Sequence, residues 1–277
     1  MNGTLYVVAT PIGNLKDITF RALEVLKNVN FIACEDTRVT KKLLTHFGIQ
    51  NKNLIPYHEH IEEKSALKLI SILKNGEDIA LVSDAGTPCI SDPGYRIVRL
   101  AREERIDVVP IPGAFAGAVA LSASGLPSDK FLFVGFLSNK EGKKRKELQN
   151  YKKIGFTFIV YESPKRVLKT LKLYEEILPN SEVVVAKELT KINEMFIFGK
   201  PSEVIEFFEQ NPNKQKGEFV ILCKPEESEE LNEEKILEII KQYKNEGLSN
   251  KEIIQILKIQ YNIPKNLAYK LVVIKKC

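Results

Sequence analysis

This sequence has few cysteines and no long apolar run. The first feature argues against a structural zinc site, and the second argues against a membrane-spanning protein. The four cysteines are widely separated and form no Cys-x-x-Cys pair, so we expect reduced thiols and no structural zinc site. The polar segment 58–60, His-Glu-His, fits a solvated loop better than a metal site. The longest apolar region, 108–121, is interrupted by Pro110, Pro112 and Gly113 and is too short to span a bilayer. No basic leader precedes the first apolar segment. We therefore expect a soluble, cytoplasmic protein that contacts neither a metal nor a membrane.

Two common nucleotide-binding signatures are also missing. The first strand pattern runs into Thr10-Pro-Ile-Gly-Asn-Leu15, which lacks the full G-x-G-x-x-G spacing of a dinucleotide site. The chain contains no G-x-x-x-x-G-K-[ST] segment either, which argues against a phosphate-cradling nucleotide hydrolase.

The positive charge is concentrated in one place. The chain carries 41 basic and 36 acidic residues, a net charge of +5. Residues 138–153 alone hold seven basic and two acidic residues, which is also a net +5. Such a segment suits a polyanion such as RNA, and a solvated lysine-rich surface is the alternative interpretation.

Hydrophobic patterning predicts an α/β chain followed by a helical tail. In the first half, short apolar strands alternate with amphipathic helices, which favours a parallel sheet covered by helices. Strands are predicted at 5–9, 31–34, 79–83 and 106–110. Beyond Phe131 some strands follow one another directly, so a second, mixed or antiparallel sheet is expected. The tail opens one helix with a capping box at Ser249–Glu252 and resembles a helix-turn-helix module or a helical packing appendage.

The segment Leu81–Tyr95 is the most informative part of the chain. A buried strand leads into a loop with Asp84 and Gly86, and Ser91-Asp-Pro-Gly94 predicts a capped helix start with proline at its first position. Ligands of open α/β sheets bind just outside the carboxyl ends of the strands, so a small-molecule site is expected here.

Seven ordered segments resemble the tetrapyrrole-methylase superfamily of S-adenosylmethionine-dependent methyltransferases, and within it the enzymes that modify small-subunit ribosomal RNA. They include Ser83-Asp-Ala-Gly-Thr-Pro88 and Tyr161-Glu-Ser-Pro-Lys-Arg166. The segments are 8–17, 33–38, 81–95, 110–114, 161–166, 186–190 and 216–219.

The resemblance implies two α/β domains of the class III methyltransferase type, 1–116 and 117–225, with the cofactor in the cleft between them. The remaining residues, 226–277, form a small helical module. A homodimer is implied, as is transfer of a methyl group to the ribose 2′-hydroxyl of decoding-centre cytidine 1402 in 16S rRNA. Assembled small subunits are the expected form of that RNA.

Residue roles carry over by position. Those implied to contact or wall the S-adenosylmethionine site are Pro11, Gly13, Asp84, Ala85, Gly86, Thr87, Ile90, Ser91, Ser122, Ala123, Tyr161 and Leu189. Those expected to contact RNA phosphates are Arg38, Lys143, Lys144, Arg145, Lys146, Lys165 and Arg166. Lysine at position 187 departs from the arginine that the family would place there, and lysine makes a poorer bidentate contact.

A ribose hydroxyl is a poor nucleophile near neutral pH, so a base or an orienting acceptor should assist it. The candidates at strand ends are Glu35, Asp36, Lys187 and Glu188, with the Glu35–Asp36 pair ranked first. The alternative for each is a structural ion pair, with Arg38 for the first two and between Lys187 and Glu188 for the others. Asp84 is expected to accept backbone N–H groups and so to fix its loop.

Two other functions remain open from the residues. A methyltransferase of the same fold acting on a tetrapyrrole or a protein side chain would need neither the basic segment nor the tail. A non-catalytic RNA-binding assembly factor would not need intact loop glycines such as Gly86 and Gly113.

Overall fold

The computed structural model describes residues 2–58, 62–226, 233–261 and 263–274. The chain divides into two compact units, Met1–Glu226 and Glu227–Cys277. None of the described helices is both long and apolar enough to cross a membrane.

The first sheet has five parallel strands in the order β3-β2-β4-β1-β5. The strands are β1 (Leu5–Val8), β2 (Phe31–Cys34), β3 (Asn53–Pro56), β4 (Ile79–Val82) and β5 (Val108–Ile111). The helices of this half are α1 (Phe20–Asn28), α2 (Thr37–His46), α3 (Glu62–Lys74) and α4 (Tyr95–Glu103), and α5 (Ala116–Ser122) follows β5 and packs on the second sheet, described below. The parallel sheet confirms the sequence prediction, except that β3 was missed. This edge strand has two exposed residues out of four and ends in proline, so it carries little apolar signal.

The second sheet is mixed, as predicted, with the order β6-β7-β10-β8-β9. Its strands are β6 (Phe131–Phe136), β7 (Thr157–Glu162), β8 (Glu182–Lys187), β9 (Met195–Gly199) and β10 (Phe219–Lys224). The β6–β7 pair is parallel and the other pairs are antiparallel. The helices α6 (Glu141–Ile154), α7 (Val167–Ile177) and α8 (Pro201–Gln210) belong to this half.

One apolar cluster joins the two sheets. Ile12, from the loop after β1, packs with Leu121 of α5 and with Ile159, Val184 and Leu189, all of the second half. The other three clusters of Met1–Glu226 each belong to one sheet and its helices. The shared cluster therefore fixes the loops of the first sheet against one face of the second.

The second unit contains α9 (Glu233–Asn245), α10 (Asn250–Gln260) and α11 (Lys265–Tyr269), followed by a π-helical turn at Lys270–Ile274. Its core includes Ile240, Ile253 and Leu257. The predicted capping box is present, because the Ser249 hydroxyl accepts the Glu252 N–H and the Glu252 carboxylate accepts the Ser249 N–H. A nucleic-acid contact by this unit stays a prediction.

The loop between β4 and α4 differs from its predicted form. The helix α4 begins at Tyr95, with Gly94 as its N-cap and no side-chain cap, so Pro93 lies before the helix rather than at its first position. The Glu62 side chain supplies the missing acceptor: its Oε1 accepts the Gly94 N–H at 3.1 Å and the Tyr57 hydroxyl at 3.0 Å. A carboxylate from another helix therefore fixes the end of this loop.

We predict that Gly94→Ala destabilises the protein by about 2 kcal/mol or more. Gly94 has a φ of 143°, and an added Cβ would lie 2.5 Å from the Cys89 Sγ. Gly48→Ala is the matched control, because Gly48 also has a positive φ, 67°, but no atom within 4 Å of an added Cβ. That control should cost only about 1 kcal/mol. Urea denaturation measures both losses, and equal losses would contradict a steric role for Gly94.

Candidate active site

A cavity of about 400 Å³ lies where the loops of the first sheet meet the second sheet. The first half contributes residues that follow β1, β4 and β5, and the second contributes β7, the start of β10 and the segment after β8. Its lining residues are Ile12, Ala85, Gly86, Thr87, Ile90, Ser91, Asp92, Phe115, Ala116, Phe136, Tyr161, Glu162, Ser163, Pro164, Leu189, Glu218, Phe219 and Val220.

Backbone hydrogen bonds hold the wall formed by the first half. The Thr10 N–H donates to the Gly86 carbonyl at 2.8 Å, and the Gly86 N–H donates back to the Thr10 carbonyl at 3.1 Å. Gly86 has a φ of 87°, a conformation that favours glycine. The Thr87 hydroxyl donates to the Ala114 carbonyl at 2.9 Å. The loops after β1, β4 and β5 are thereby fixed to one another.

Aromatic side chains form much of the opposite wall. The Tyr161 ring meets Phe133 and Phe136 edge to face, with ring centroids 5.1 and 5.7 Å apart. Its hydroxyl accepts the Gly117 N–H at 3.3 Å, at the start of α5. Burial raises the pKa of Tyr161 to about 12, so the phenol stays protonated. This wall offers flat apolar surface of the kind that an adenine ring stacks against.

Backbone strain occurs on both sides of the cavity. Cys89 and Ser91, in the loop before α4, have φ values of 70° and 64°. Glu188 and Thr190, after β8, have φ values of 52° and 65°. Non-glycine residues adopt this region at a cost, and such residues cluster at functional sites.

Four carboxylates, those of Glu35, Asp36, Asp84 and Asp92, lie near one another beyond the carboxyl ends of β2 and β4. The Asp84 side chain accepts the Asp36 N–H at 3.0 Å, so it fixes a backbone as expected, although on the neighbouring strand end rather than in its own loop. Burial and the Asp84 charge raise the pKa of Glu35. Burial and then the Glu35 charge raise the pKa of Asp92 to about 6, against a hydrogen bond from Ser83 that lowers it. Asp92 lines the cavity and is not among the catalytic or cofactor-binding residues predicted from the sequence.

Asp36 and Arg38 form the structural ion pair that was the alternative to a catalytic role. Asp36 caps α2 by accepting the Arg38 N–H at 2.8 Å, and its carboxylate binds the Arg38 guanidinium at 2.6 Å. Hydrogen bonds from Arg38 lower the pKa of Asp36 to about 2. A carboxylate so stabilised is a weak base, so a proton-accepting role for Asp36 is not supported.

Lys187 and Glu188 follow a different pattern from the expected ion pair. Lys187 is buried at the end of β8. Glu188 instead pairs with Lys191 at 3.0 Å and accepts the Glu218 N–H at 2.9 Å. Although burial opposes it, these two contacts lower the pKa of Glu188. The Glu188 carboxylate is therefore held as a structural anion.

The cofactor residues implied by the resemblance fall into two groups. Seven line the cavity: Ala85, Gly86, Thr87, Ile90, Ser91, Tyr161 and Leu189. Five do not: Pro11, Gly13, Asp84, Ser122 and Ala123. Ser122 and Ala123 lie at the far end of α5, whose first residue, Ala116, lines the cavity instead. An added Cβ at Gly13 would lie 3.0 Å from the Leu189 carbonyl oxygen, so Gly13 permits the close approach of the two halves.

The basic residues that were expected to contact RNA differ in their burial and in their ion pairs. Lys144 is buried, and its Nζ lies 2.9 Å from the Thr170 hydroxyl and 3.4 Å from a Glu162 oxygen. The expectation that Lys144 contacts RNA phosphates is therefore wrong, because its charge is used inside the protein. Arg166 also pairs with Glu162, at 2.7 Å.

The other basic candidates lie nearer to solvent. Arg145 is half-buried and binds Glu176 at 2.7 Å. Lys143, Lys146 and Lys165 are exposed. Arg38 is also largely exposed, although it pairs with Asp36. These three lysines and Arg38 are the members of the set that remain accessible to a phosphate, and their contact with RNA stays a prediction.

Metal binding has no support in the part of the chain that the structure describes, which contains no group of three or more His, Cys, Asp or Glu residues arranged to hold an ion. Glu59 and His60 of the His-Glu-His segment lie outside the described residues.

The lining chemistry fits a cationic, partly aromatic cofactor. Its apolar surface comes from residues such as Phe115, Phe136 and Tyr161, and its charged members are Asp92, Glu162 and Glu218. The described lining residues include no lysine or arginine, although the chain as a whole is basic. Such a cavity suits the sulfonium and ammonium groups and the adenine of S-adenosylmethionine, and it does not suit a nucleoside triphosphate. The fold and the cavity are therefore those of an α/β methyltransferase.

Comparison with known families agrees. The family model described as Tetrapyrrole (Corrin/Porphyrin) Methylases matches residues 4–205, and the chain belongs to this family. It is an S-adenosylmethionine-dependent methyltransferase.

Individual relatives extend the similarity to the whole chain. The chain is 45% identical over 274 residues to ribosomal RNA small subunit methyltransferase I of Bacillus subtilis, covering 96% of this chain and 93% of that protein. It is 50% identical over 220 residues to the protein of the same name in Vibrio cholerae, covering 79% and 76% of the two chains. A solved structure of uroporphyrin-III C-methyltransferase from Thermus thermophilus with S-adenyl homocysteine shares the fold, with a TM-score of 0.54 and 18% identity over 79% of this chain and 97% of that one.

We predict that Lys144→Ala destabilises the protein by about 3–5 kcal/mol, because it leaves the buried Glu162 carboxylate without one of its cationic partners. The adjacent, exposed Lys143→Ala should change stability by less than about 0.5 kcal/mol. Thermal unfolding of both variants checks this. A Lys144→Ala protein as stable as Lys143→Ala would mean that Arg166 alone neutralises Glu162.

Proposed function

We propose that this protein methylates the RNA of the small ribosomal subunit, at the ribose 2′-hydroxyl of a decoding-centre cytidine. The observation that carries the proposal is the near-full-length similarity to relatives named ribosomal RNA small subunit methyltransferase I. The solved tetrapyrrole enzymes share only the fold with this chain, at 17–18% identity, and so give no support to a tetrapyrrole substrate.

The cavity residues have distinct roles in this reaction. The bound cofactor supplies an electrophilic methyl group. The Ala85–Thr87 loop and Ile90 of the first half would hold that cofactor together with Tyr161 and Leu189 of the second half. The Tyr161, Phe136 and Phe115 rings exclude water from the apolar part of the cavity, and the interlocked loops keep its shape before substrate binds.

The RNA must present one unstacked nucleotide, because a 2′-hydroxyl within a packed helix does not reach a recessed cavity. Lys143 and Lys146 on α6 and Lys165 just before α7 are exposed cations in the half that contributes Tyr161 to the cavity. They would bind phosphates that flank the target nucleotide. A homodimer, which the family resemblance implies, is part of the proposal.

The direct test is a methylation assay with radiolabelled S-adenosylmethionine on small subunits from cells that lack the corresponding enzyme. We expect label on a single ribose 2′-oxygen of decoding-centre RNA, located by nuclease mapping. Free 16S rRNA, a protein fraction and a tetrapyrrole serve as parallel acceptors. Label only on one of the latter two would overturn the proposed substrate.

Charge reversal at three surface lysines should weaken RNA binding without affecting the fold. For the triple variant Lys143→Glu, Lys146→Glu and Lys165→Glu we expect the slope of log K against log salt to fall by about 2, because each neutralised phosphate contributes about 0.7 for a single strand. The exposed lysines Lys27, Lys64 and Lys68, changed together to glutamate, keep the net charge matched. Equal slopes for the two triple variants would mean that Lys143, Lys146 and Lys165 form a solvated surface and do not bind RNA phosphates.

A further inference from the structure

The cavity contains three carboxylates, and only one of them has no cationic partner in the described part of the chain. Glu162 is held by Arg166 at 2.7 Å and Lys144 at 3.4 Å. Glu218 is largely exposed and pairs with Lys191 at 2.9 Å. Asp92 has no such ion pair, and Ser83 donates a hydrogen bond to it. Asp92 is therefore the lining carboxylate with free capacity to accept a further proton or hydrogen bond.

The candidates chosen from the sequence are less suitable as bases. Asp36 and Glu188 are each bound by a neighbouring cation. Glu35 has a raised pKa but is not among the residues that line the cavity. Lys187 is likewise outside the lining. Asp92 therefore both lines the cavity and has no cationic partner, whereas none of the residues predicted from the sequence motifs combines a place in the lining with a free basic group.

The groups around Asp92 favour proton uptake. Glu35, after β2, and Asp84, after β4, place negative charge beside it, and burial adds to their effect. Burial, with a smaller contribution from the Asp92 charge, raises the pKa of Tyr161 on β7 and of Cys89 in the same loop as Asp92, so both of these neighbours stay neutral. When Asp92 takes up a proton, its repulsion with the two neighbouring carboxylates is relieved. Because burial and these charges raise the pKa of Asp92 to about 6, the carboxylate is mostly ionised at neutral pH yet accepts a proton readily.

The loop around Asp92 is held in one conformation. Ser91, just before it, has a φ of 64°, and Gly94, two residues later, has a φ of 143°. Glu62 anchors the Gly94 N–H at 3.1 Å. A strained and anchored loop of this kind presents its side chain in a fixed position.

We propose that Asp92 is the general base that accepts the proton of the acceptor hydroxyl during methyl transfer. This inference rests on the proposed function. The bond between oxygen and the methyl carbon forms while the bond between that carbon and sulfur breaks. The sulfur keeps the electron pair, and the hydroxyl proton passes to the Asp92 carboxylate. The positive charge of the sulfonium and the negative charge of Asp92 are lost together, so no other reactant is needed.

Asp92→Asn tests the proposal, with single-turnover methylation of small subunits measured from pH 5 to 9. The wild-type rate should rise with pH through about 6 and then level off. The variant should lose roughly 10²–10⁴-fold in rate and also lose that rise. Its Kd for S-adenosylhomocysteine, from titration calorimetry, should stay within about threefold of the wild type, because that product carries no sulfonium charge and the asparagine keeps the size of the side chain. Asp129→Asn, in the exposed loop before β6, is the matched control and should behave as the wild type.

Thermal unfolding gives a readout that does not depend on activity. A carboxyl whose pKa is raised by folding destabilises the folded state as pH rises through the folded pKa, because the unfolded chain releases that proton more easily. Asp92→Asn removes this penalty, so its Tm should exceed that of the wild type by about 2–4 °C at pH 8 and by less at pH 5. Ser83→Ala should move the acid limb of the rate profile to higher pH, because it removes the hydrogen bond that lowers the pKa of Asp92.

The other outcomes separate the possible errors. A wild-type rate and pH profile in Asp92→Asn would overturn the base. Weaker binding of S-adenosylmethionine with unchanged binding of S-adenosylhomocysteine would assign Asp92 to the sulfonium charge instead. An Asp92→Asn protein with lowered Tm at every pH would assign it a structural role. Absence of label with the wild-type enzyme would overturn the proposed function, and this inference with it, whereas labelling by both proteins at the same rate would overturn the base alone.

Discussion

The apolar cluster that joins the two sheets is the constraint on which the rest of this molecule depends. Ile12 comes from the loop after β1, whereas Leu121, Ile159, Val184 and Leu189 lie in the second half, so a side chain of the first half completes a core of the second. Burial of such a side chain stabilises the pairing by about 1.5–3 kcal/mol. The cavity lies beside this cluster and shares Ile12 and Leu189 with it. The site therefore has the rigidity of a hydrophobic core on one of its sides.

Acidic and basic side chains occupy different places around the two sheets. The described cavity lining carries carboxylates and no cation, whereas exposed lysines occur on α6 and just before α7. The two environments meet at Glu162. Its side chain lines the cavity, and its oxygens bind Lys144 and Arg166 of the basic region. One buried carboxylate thus pairs with two cations that were expected to contact RNA, and it links the cavity wall to α6 and α7.

Two segments that border the cavity contain strained backbone. The loop before α4 and the segment after β8 both contain non-glycine residues at positive φ, for example Ser91 and Glu188. Each is stabilised by contacts from elsewhere in the chain: Glu62 binds Gly94 in the first, and Gly217 leaves space for the Glu188 side chain in the second. Such positions persist only when the surrounding packing outweighs their cost, and here that packing comes from distant elements.

Local pattern determined the secondary structure and the family. Nine of the ten strands, the mixed character of the second sheet and the capping box at Ser249 follow from apolar periodicity, turn residues and short motifs. The loop Ala85–Thr87 and Tyr161 were placed at the site because motif position is a property of the linear chain. Whether a charged side chain is buried, paired or unpaired does not follow from its position in the linear chain. Burial of Lys144, the ion pair of Asp36 with Arg38 and the unpaired state of Asp92 depend on which side chains meet in space, and only the tertiary structure decides which residues share a low dielectric with which partner.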